Sequence, residues 1–225
     1  MRINIISLIS PKGGTGKSSL ATGLAAAARE GSTALYDLDP QGTSHRWWHV
    51  HRARSPSPVP EIDLVVRRVD PGGVFDRLKE DAASPPEWVV CDLAGGAFAP
   101  LVEVLELSDV VLVPLRPTVP DLATITRLQR FAASLGHETL ARMAVVLCQV
   151  DRRSTRRQAF SRSLLEDQAS IACCTTQISQ SVVWPDAFEA GLAVQECRGP
   201  RFRRAASEVN SLFAEIRHLL EDPAR

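Results

Sequence analysis

Lysine is almost missing from this chain. Its 225 residues hold three, so arginine carries nearly all the positive charge of the 26 basic residues. Lysine offers a compact ammonium on a flexible stem where arginine offers a planar fork, and a position that keeps lysine against such a background asks for that ammonium. An excess of either charge is missing too, since 26 acidic residues balance the 26 basic ones. The molecule as a whole supplies no field to attract polyanions, and any nucleic-acid contact must come from a local basic patch. No apolar run approaches the roughly 20 residues of a membrane span, and the N-terminus leads straight into a strand-like run without a signal-peptide pattern. A cytoplasmic protein without membrane attachment is expected. The five cysteines, Cys91, Cys148, Cys173, Cys174 and Cys197, include no C-x-x-C pair. Four of them lie in or beside apolar runs, which suits small buried hydrophobes in a reducing compartment and argues against a disulfide or metal framework. His45, His49 and His51 cluster, but no cysteine or carboxylate stands near them at a ligand-like spacing. No structural metal is expected, and no internal repeat divides the chain.

With 44% apolar residues the chain can bury a sizeable core, and its length suits one domain over residues 1–225. Apolar, β-branched runs at 3–9, 33–36, 62–69, 88–91, 110–115, 144–150 and 171–176 alternate with segments of helical spacing. That alternation predicts an α/β fold: a mostly parallel central sheet with helices on both faces. The first helix should begin at Gly16 or Lys17 and run to Glu30, with Gly31 as its stop. Further helices are expected over 73–81, 100–107, 121–135, 154–168, 185–190 and 201–221. Three prolines and two serines make 52–60 an exposed loop, and Ser84-Pro85-Pro86 is another. In an open sheet of this kind ligands bind beyond the carboxyl ends of the strands, so the residues at those ends carry the functional reading.

After the first apolar run comes Pro11-Lys12-Gly13-Gly14-Thr15-Gly16-Lys17-Ser18-Ser19, which contains two of the three lysines. Gly16-Lys17-Ser18 completes a phosphate-binding loop, in which backbone N–H groups turn toward phosphate oxygens, the lysine reaches the β/γ-phosphates and the hydroxyl ligates Mg²⁺. Pro11 stands where the usual pattern has its first glycine, and Lys12 follows it directly. The second expected strand ends in Asp37-Leu38-Asp39-Pro40-Gln41, two carboxylates on the same side of an extended chain; the same residues suit a helix cap or turn. Trp88-Val89-Val90-Cys91-Asp92 is an apolar strand ending in an acid, suited to hold Mg²⁺ through a water. The stretch from Val113 to Asp121 reads either as a proline-stiffened loop capped by Asp121 or as part of the site.

The proline-lysine form of the loop is the deviant Walker A motif, and with D-x-D-P-Q after the second strand the chain resembles the ParA/MinD family of P-loop ATPases. The resemblance covers most of the first 130 residues and more loosely the rest. It implies ATP and Mg²⁺ as ligands, held by Gly13, Gly14, Thr15, Gly16, Lys17, Ser18 and Ser19, with Ser19 on the α-phosphate. It gives Lys12 a catalytic role across the interface of an ATP-dependent homodimer, Asp39 the orientation of the attacking water, and Ser18, Asp37 and Asp92 the surroundings of the metal. After Asp92 the chain has Leu93-Ala94-Gly95-Gly96 in place of the family's common threonine-proline-proline, a departure at the switch region. The family further implies a small activating partner, ParB-like or a cargo adaptor.

Arg152, Arg153, Arg156, Arg157 and Arg162 form one arginine cluster, and Arg198, Arg201, Arg203 and Arg204 another. Such runs are often solvated faces. In ParA-type proteins basic residues of the C-terminal half bind DNA without sequence preference, which implies a nucleoid-associated, ATP-driven partition or positioning protein. Its cargo would be a plasmid, a chromosome locus or a protein assembly. Two alternatives share the loop: a MinD-like membrane-associated switch, and a reductase of the nitrogenase-iron-protein type. The first needs a basic amphipathic C-terminal helix where this chain has Glu221-Asp222-Pro223. The second needs two cysteines per subunit at the dimer axis.

Overall fold

The computed structural model describes residues 2–28, 31–54, 64–96, 102–154 and 171–221, together with 159, 161 and 163. Seven strands form one parallel sheet: β1 (Asn4–Leu8), β2 (Thr33–Leu38), β3 (Leu64–Arg68), β4 (Trp88–Leu93), β5 (Val110–Leu115), β6 (Met143–Leu147) and β7 (Ala172–Cys173). Their order is β3-β2-β4-β1-β5-β6-β7, with every pairing parallel. The chain moves outward from β1 through β2 to β3, returns to insert β4 between β2 and β1, and then crosses to the other flank of β1 with β5 and builds away through β6 and β7. β1 thus lies at the reversal, where an open α/β sheet leaves its crevice.

Burial explains the strands' composition. Every residue of β2, β4, β5 and β6 is buried, because apolar layers cover both sheet faces. Ile6, Leu8, Val90 and Leu112 face one layer, made with α1 (Lys17–Ala27), α2 (Thr43–Arg54), α8 (Val183–Glu189) and α9 (Arg203–Glu221). Ile5, Ile9, Val89 and Val111 face the other, made with α3 (Val74–Asp81), α4 (Val102–Leu107) and α6 (Ile125–Leu135). On α9 the stripe Ala205, Val209, Leu212, Phe213 and Ile216 is buried, and the Phe213 ring meets Trp88 edge-on at 4.9 Å.

Several boundaries differ from the sequence reading for physical reasons. β2 and β4 run on to Leu38 and Leu93, so Asp37 and Asp92 lie inside strands and are register partners. α1 stops at Ala27 and not at Glu30. Gly31 serves a close approach: a Cβ there would lie 2.1 Å from a carboxylate oxygen of Glu87. The helix expected over 121–135 is two: α5 (Val119–Leu122) and α6. The Thr124 hydroxyl captures the Asp121 carbonyl at 2.5 Å, which competes with continuation of the helix. α2 was not foreseen, and it takes the first part of the expected 52–60 loop; the remainder of that loop lies outside the described residues, as does nearly all of the helix expected over 154–168. A short helix, α7 (His137–Ala141), precedes β6.

β7 is only two residues long because its continuation is held by α9. The N–H groups of Thr175 and Thr176 donate to Glu215 at 2.7 and 3.0 Å. Burial pushes the Glu215 carboxyl up, but these amides outweigh it, and it titrates below its usual range. A lowered folded-state pKa contributes stability in full above the unfolded value, and that contribution is lost as pH falls through the folded one. Glu215→Gln should destabilise the protein by about 1 kcal/mol at neutral pH, measured by urea unfolding, with the difference shrinking below about pH 4. A pH-independent difference would mean that the carboxylate charge is not what holds this segment.

Candidate nucleotide-binding site

Between β1 and α1 the chain turns back on itself over residues 9–16. Gly14 and Gly16 have φ of 76° and 89°, a region L side chains avoid, so these two glycines set the turn. Ser10 pins the loop from inside: its hydroxyl donates to the Lys12 carbonyl at 2.8 Å, and the Thr15 hydroxyl reaches it at 3.1 Å. From outside, the Gln149 side chain donates to the Gly14 carbonyl at 2.7 Å. Gln149 is the one non-glycine residue at positive φ among those described. The Ala94-Gly95-Gly96 departure also meets the loop. The Gly96 N–H donates to the Ser10 carbonyl at 3.1 Å, and a Cβ on Gly95 would touch the backbone of Lys12 and Gly13.

Beneath the loop sits a buried ionic cluster. The Lys17 ammonium lies 2.5 Å from Asp92 Oδ1, and the Ser44 hydroxyl donates to Asp92 Oδ2 at 2.5 Å. Asp92 is fully buried and Lys17 nearly so. Ser44 is a member of this cluster that the sequence reading missed, since its position depends on α2 beginning at Thr43. Asp37, placed near the metal by the sequence reading, is occupied differently: it accepts the N–H groups of Asp39 and His45 at 3.1 and 2.8 Å. Burial pushes its carboxyl above the usual range and nearby Asp92 adds to this, while the two amides pull it back. Asp37 supports the site from behind by fixing the turn into α2. Asp39 lines the cavity, half-buried, and accepts the Gln41 N–H at 2.9 Å.

The cavity has a volume of about 910 Å³. One end is the loop from Lys12 to Gly16 with Lys17, Ser18, Ser19, Asp39 and Thr43, and the other is formed by Gln149, Ile178, Ser179, Gln180, Ser181, Trp184 and Phe188. The first end offers amides, an ammonium and hydroxyls suited to phosphates at a helix N-terminus; the second is apolar with polar edges, suited to a planar base. Ser18 and Asp39 line the phosphate end, and Asp92 lies behind them on Lys17 and Ser44; all three are hard oxygen donors, the kind that fits Mg²⁺ with several waters retained.

Lys12 stands at the rim with its side chain 37% exposed, 3.1 Å from Asp121 Oδ1 and donating to the Pro120 carbonyl at 2.7 Å. Asp121 is buried and also bound by Arg116 and Thr118 at 2.7 and 2.9 Å. Burial pushes its carboxyl up, but these partners hold it below the usual range. Asp121 thus holds Lys12 as well as the turn into α5. Arg152, Arg153, Arg201 and Arg204 meet at a second cavity, while Arg203 is exposed on α9 outside its lining. Arg156 and Arg157 lie outside the described residues. Of the cysteines, Cys91 is buried in β4, where burial and Asp92 push its thiol up to about 12 against the pull of Ser7.

Sheet order, loop and cavity define a P-loop nucleotide-binding domain. Residues 6–190 match the CobQ/CobB/MinD/ParA nucleotide binding domain, and the chain belongs to that family. Among curated proteins none matches it in sequence. Solved structures share its fold at low identity. A plasmid partition protein from Borrelia burgdorferi B31 bound to AMPPNP is 14% identical, covering 95% of this chain and 99% of its own, with a TM-score of 0.70. The septum site-determining protein MinD complexed with Mg-ADP from Pyrococcus horikoshii OT3 is 13% identical, with coverage of 98% and 100% and a TM-score of 0.70. Cobyrinic acid a,c-diamide synthase from Mycobacterium smegmatis, with ADP and magnesium, is 16% identical, with coverage of 98% and 96% and a TM-score of 0.69.

Lys17→Ala should weaken nucleotide binding at least about a hundredfold, because the phosphates lose their charge-assisted partner. It should also lower the melting temperature, since Asp92 is left buried without its cation. Calorimetry showing unchanged nucleotide affinity would contradict the loop's assignment.

Proposed function

We propose that the protein is an ATP-driven positioning ATPase that closes as a dimer around two nucleotides and binds DNA without sequence preference. In this reading the loop amides and Lys17 hold the β/γ-phosphates, and Ser19 holds the α-phosphate. Ser18 and Asp92 would hold Mg²⁺, and Asp39 orients the attacking water. The metal would neutralise charge developing on the phosphate oxygens. A small partner protein, ParB-like or a cargo adaptor, stimulates hydrolysis and so release of DNA, moving a plasmid, chromosome locus or protein assembly.

The observation that carries this reading is Lys12. A lysine in an arginine-rich chain stands at the cavity mouth, half-exposed, with its ammonium held by Asp121 and Pro120. Crossing to a partner's phosphates exchanges those two contacts for a triphosphate. Arg116 and Thr118 stay on Asp121, so the buried carboxylate is not left unpaired by the exchange. The AMPPNP-bound plasmid partition protein shares the fold. The docking of α9 favours this reading over a membrane switch, because its apolar face packs on the core. No described helix is long and apolar enough to cross a membrane.

Lys12→Ala should bind nucleotide within about threefold of wild type, as its ammonium leaves the cis site intact. It should lose ATP-dependent dimerisation in light scattering, and Lys12→Arg should not restore it. A Lys12→Ala protein that still dimerises with ATP would overturn the trans role. Asp39→Ala should bind ATP and dimerise but turn over at least about a hundredfold more slowly; a steady-state ATPase rate near wild type would place water orientation on another residue.

A further inference from the structure

A second cavity of about 680 Å³ lies beside the nucleotide cavity, and the two share a wall. Ser179, Gln180, Ser181 and Trp184 line both. The second cavity is basic: Arg152 and Arg153 enter it from the loop after β6, and Arg201 and Arg204 from the start of α9. Four guanidinium groups stand there against three carboxylates: Asp151 and Glu208 in the lining, and Asp186, which lies 2.9 Å from Arg201. Arg152 and Arg201 remain about 60% exposed, at 60% and 61%. The two arginine clusters, some fifty positions apart along the chain, therefore form one surface concavity with a surplus of positive charge, suited to a phosphate group.

One side chain joins this arginine group to the shared wall. Glu208 is 12% exposed, and its Oε2 accepts the Ser179 N–H at 2.9 Å. Its Oε1 accepts the Ser179 hydroxyl and lies 3.6 Å from Arg152 Nη1. The rest of the wall is fixed by the Gln180 N–H on the Val150 carbonyl at 3.0 Å and the Trp184 indole on the Ser179 carbonyl at 3.2 Å. A single carboxylate oxygen is thus shared between the wall of the nucleotide cavity and an arginine of its neighbour.

We propose that the second cavity seats a backbone phosphate of duplex DNA and that Glu208 couples its occupancy to the nucleotide across the wall, an inference that rests on the DNA-binding reading above. An entering phosphate draws Arg152 away from Glu208. The carboxylate, no longer shared with a guanidinium, accepts more strongly from Ser179 and firms the wall against which the nucleotide base lies. The coupling is positive, and it is reciprocal: nucleotide raises DNA affinity by the factor by which DNA raises nucleotide affinity. Because the route lies within one subunit, ADP exercises it too, without the γ-phosphate that closes the dimer, and release on hydrolysis follows from the parting of the dimer's two seats.

The test is duplex binding by the full chain at low salt, read by fluorescence anisotropy without nucleotide, with ADP and with AMPPNP. In wild type, ADP should tighten binding about fivefold or more, and affinity should fall steeply with salt. Glu208→Gln keeps an acceptor for Ser179 but loses the charge shared with Arg152, so it should still bind duplex while the ADP effect shrinks to about twofold or less. Arg201→Glu with Arg204→Glu should weaken binding in every nucleotide state. An ADP effect equal in wild type and Glu208→Gln, or an AMPPNP-dependent binder indifferent to ADP, would overturn the coupling and leave the DNA reading standing. Retained affinity in the double arginine variant would overturn the seat. Absence of duplex binding by wild type under all three conditions would overturn the DNA reading itself.

Discussion

A carboxylate with no exposure to water must find partners for both of its oxygens. Asp92 finds Lys17 on one side and Ser44 on the other, and the rest of the site depends on that solution. Lys17 opens the helix after the phosphate loop, and Ser44 sits in the first turn of α2, so one side chain at the end of β4 fixes elements that follow β1 and β2. Asp37, its register partner on β2, then completes the turn into α2 through two amides. The Lys17 ammonium has a carboxylate partner in the absence of phosphate, and an arriving triphosphate must outbid that partner. Ser44 remains on Asp92 through such an exchange, so the buried charge keeps a hydrogen bond throughout.

The same economy of carboxylates recurs along α9. Glu215 holds the chain after β7 through two amides, and Glu208 holds residue 179 through a hydroxyl and an amide. A helix anchored by its apolar stripe on the core therefore sets the base end of the nucleotide cavity from behind. The phosphate end is set by the sheet and the base end by α9. Asp121 does comparable service at the rim, where it gathers Arg116, Thr118 and Lys12.

Much of this was legible in the sequence because long apolar runs and the glycine-lysine spacing are local signals. The runs at 110–115 and 88–91 fell on β5 and on most of β4, and the loop lay where strand gives way to helix. What was not legible depends on distant partners. α2 carries only Trp47 and Trp48 toward the core amid arginine and histidine, so it has no apolar stripe to read. The break between α5 and α6 comes from a threonine side chain, and the shortness of β7 from one glutamate of a helix some forty residues later. The two arginine clusters read as separate because their meeting at one cavity brings the loop after β6 to the start of α9, which no spacing encodes.

The account makes nucleotide identity the control of assembly. In the proposed function Lys12 leaves Asp121 for a γ-phosphate presented by a second subunit, so ATP and ADP would differ in what they assemble while filling the same cavity. Sedimentation equilibrium of the wild-type chain, with hydrolysis suppressed by AMPPNP, measures this directly. The predicted result is a mass near 24.5 kDa without nucleotide and with ADP, doubling with AMPPNP. A monomer under all three conditions, or a dimer formed equally with ADP, would contradict it.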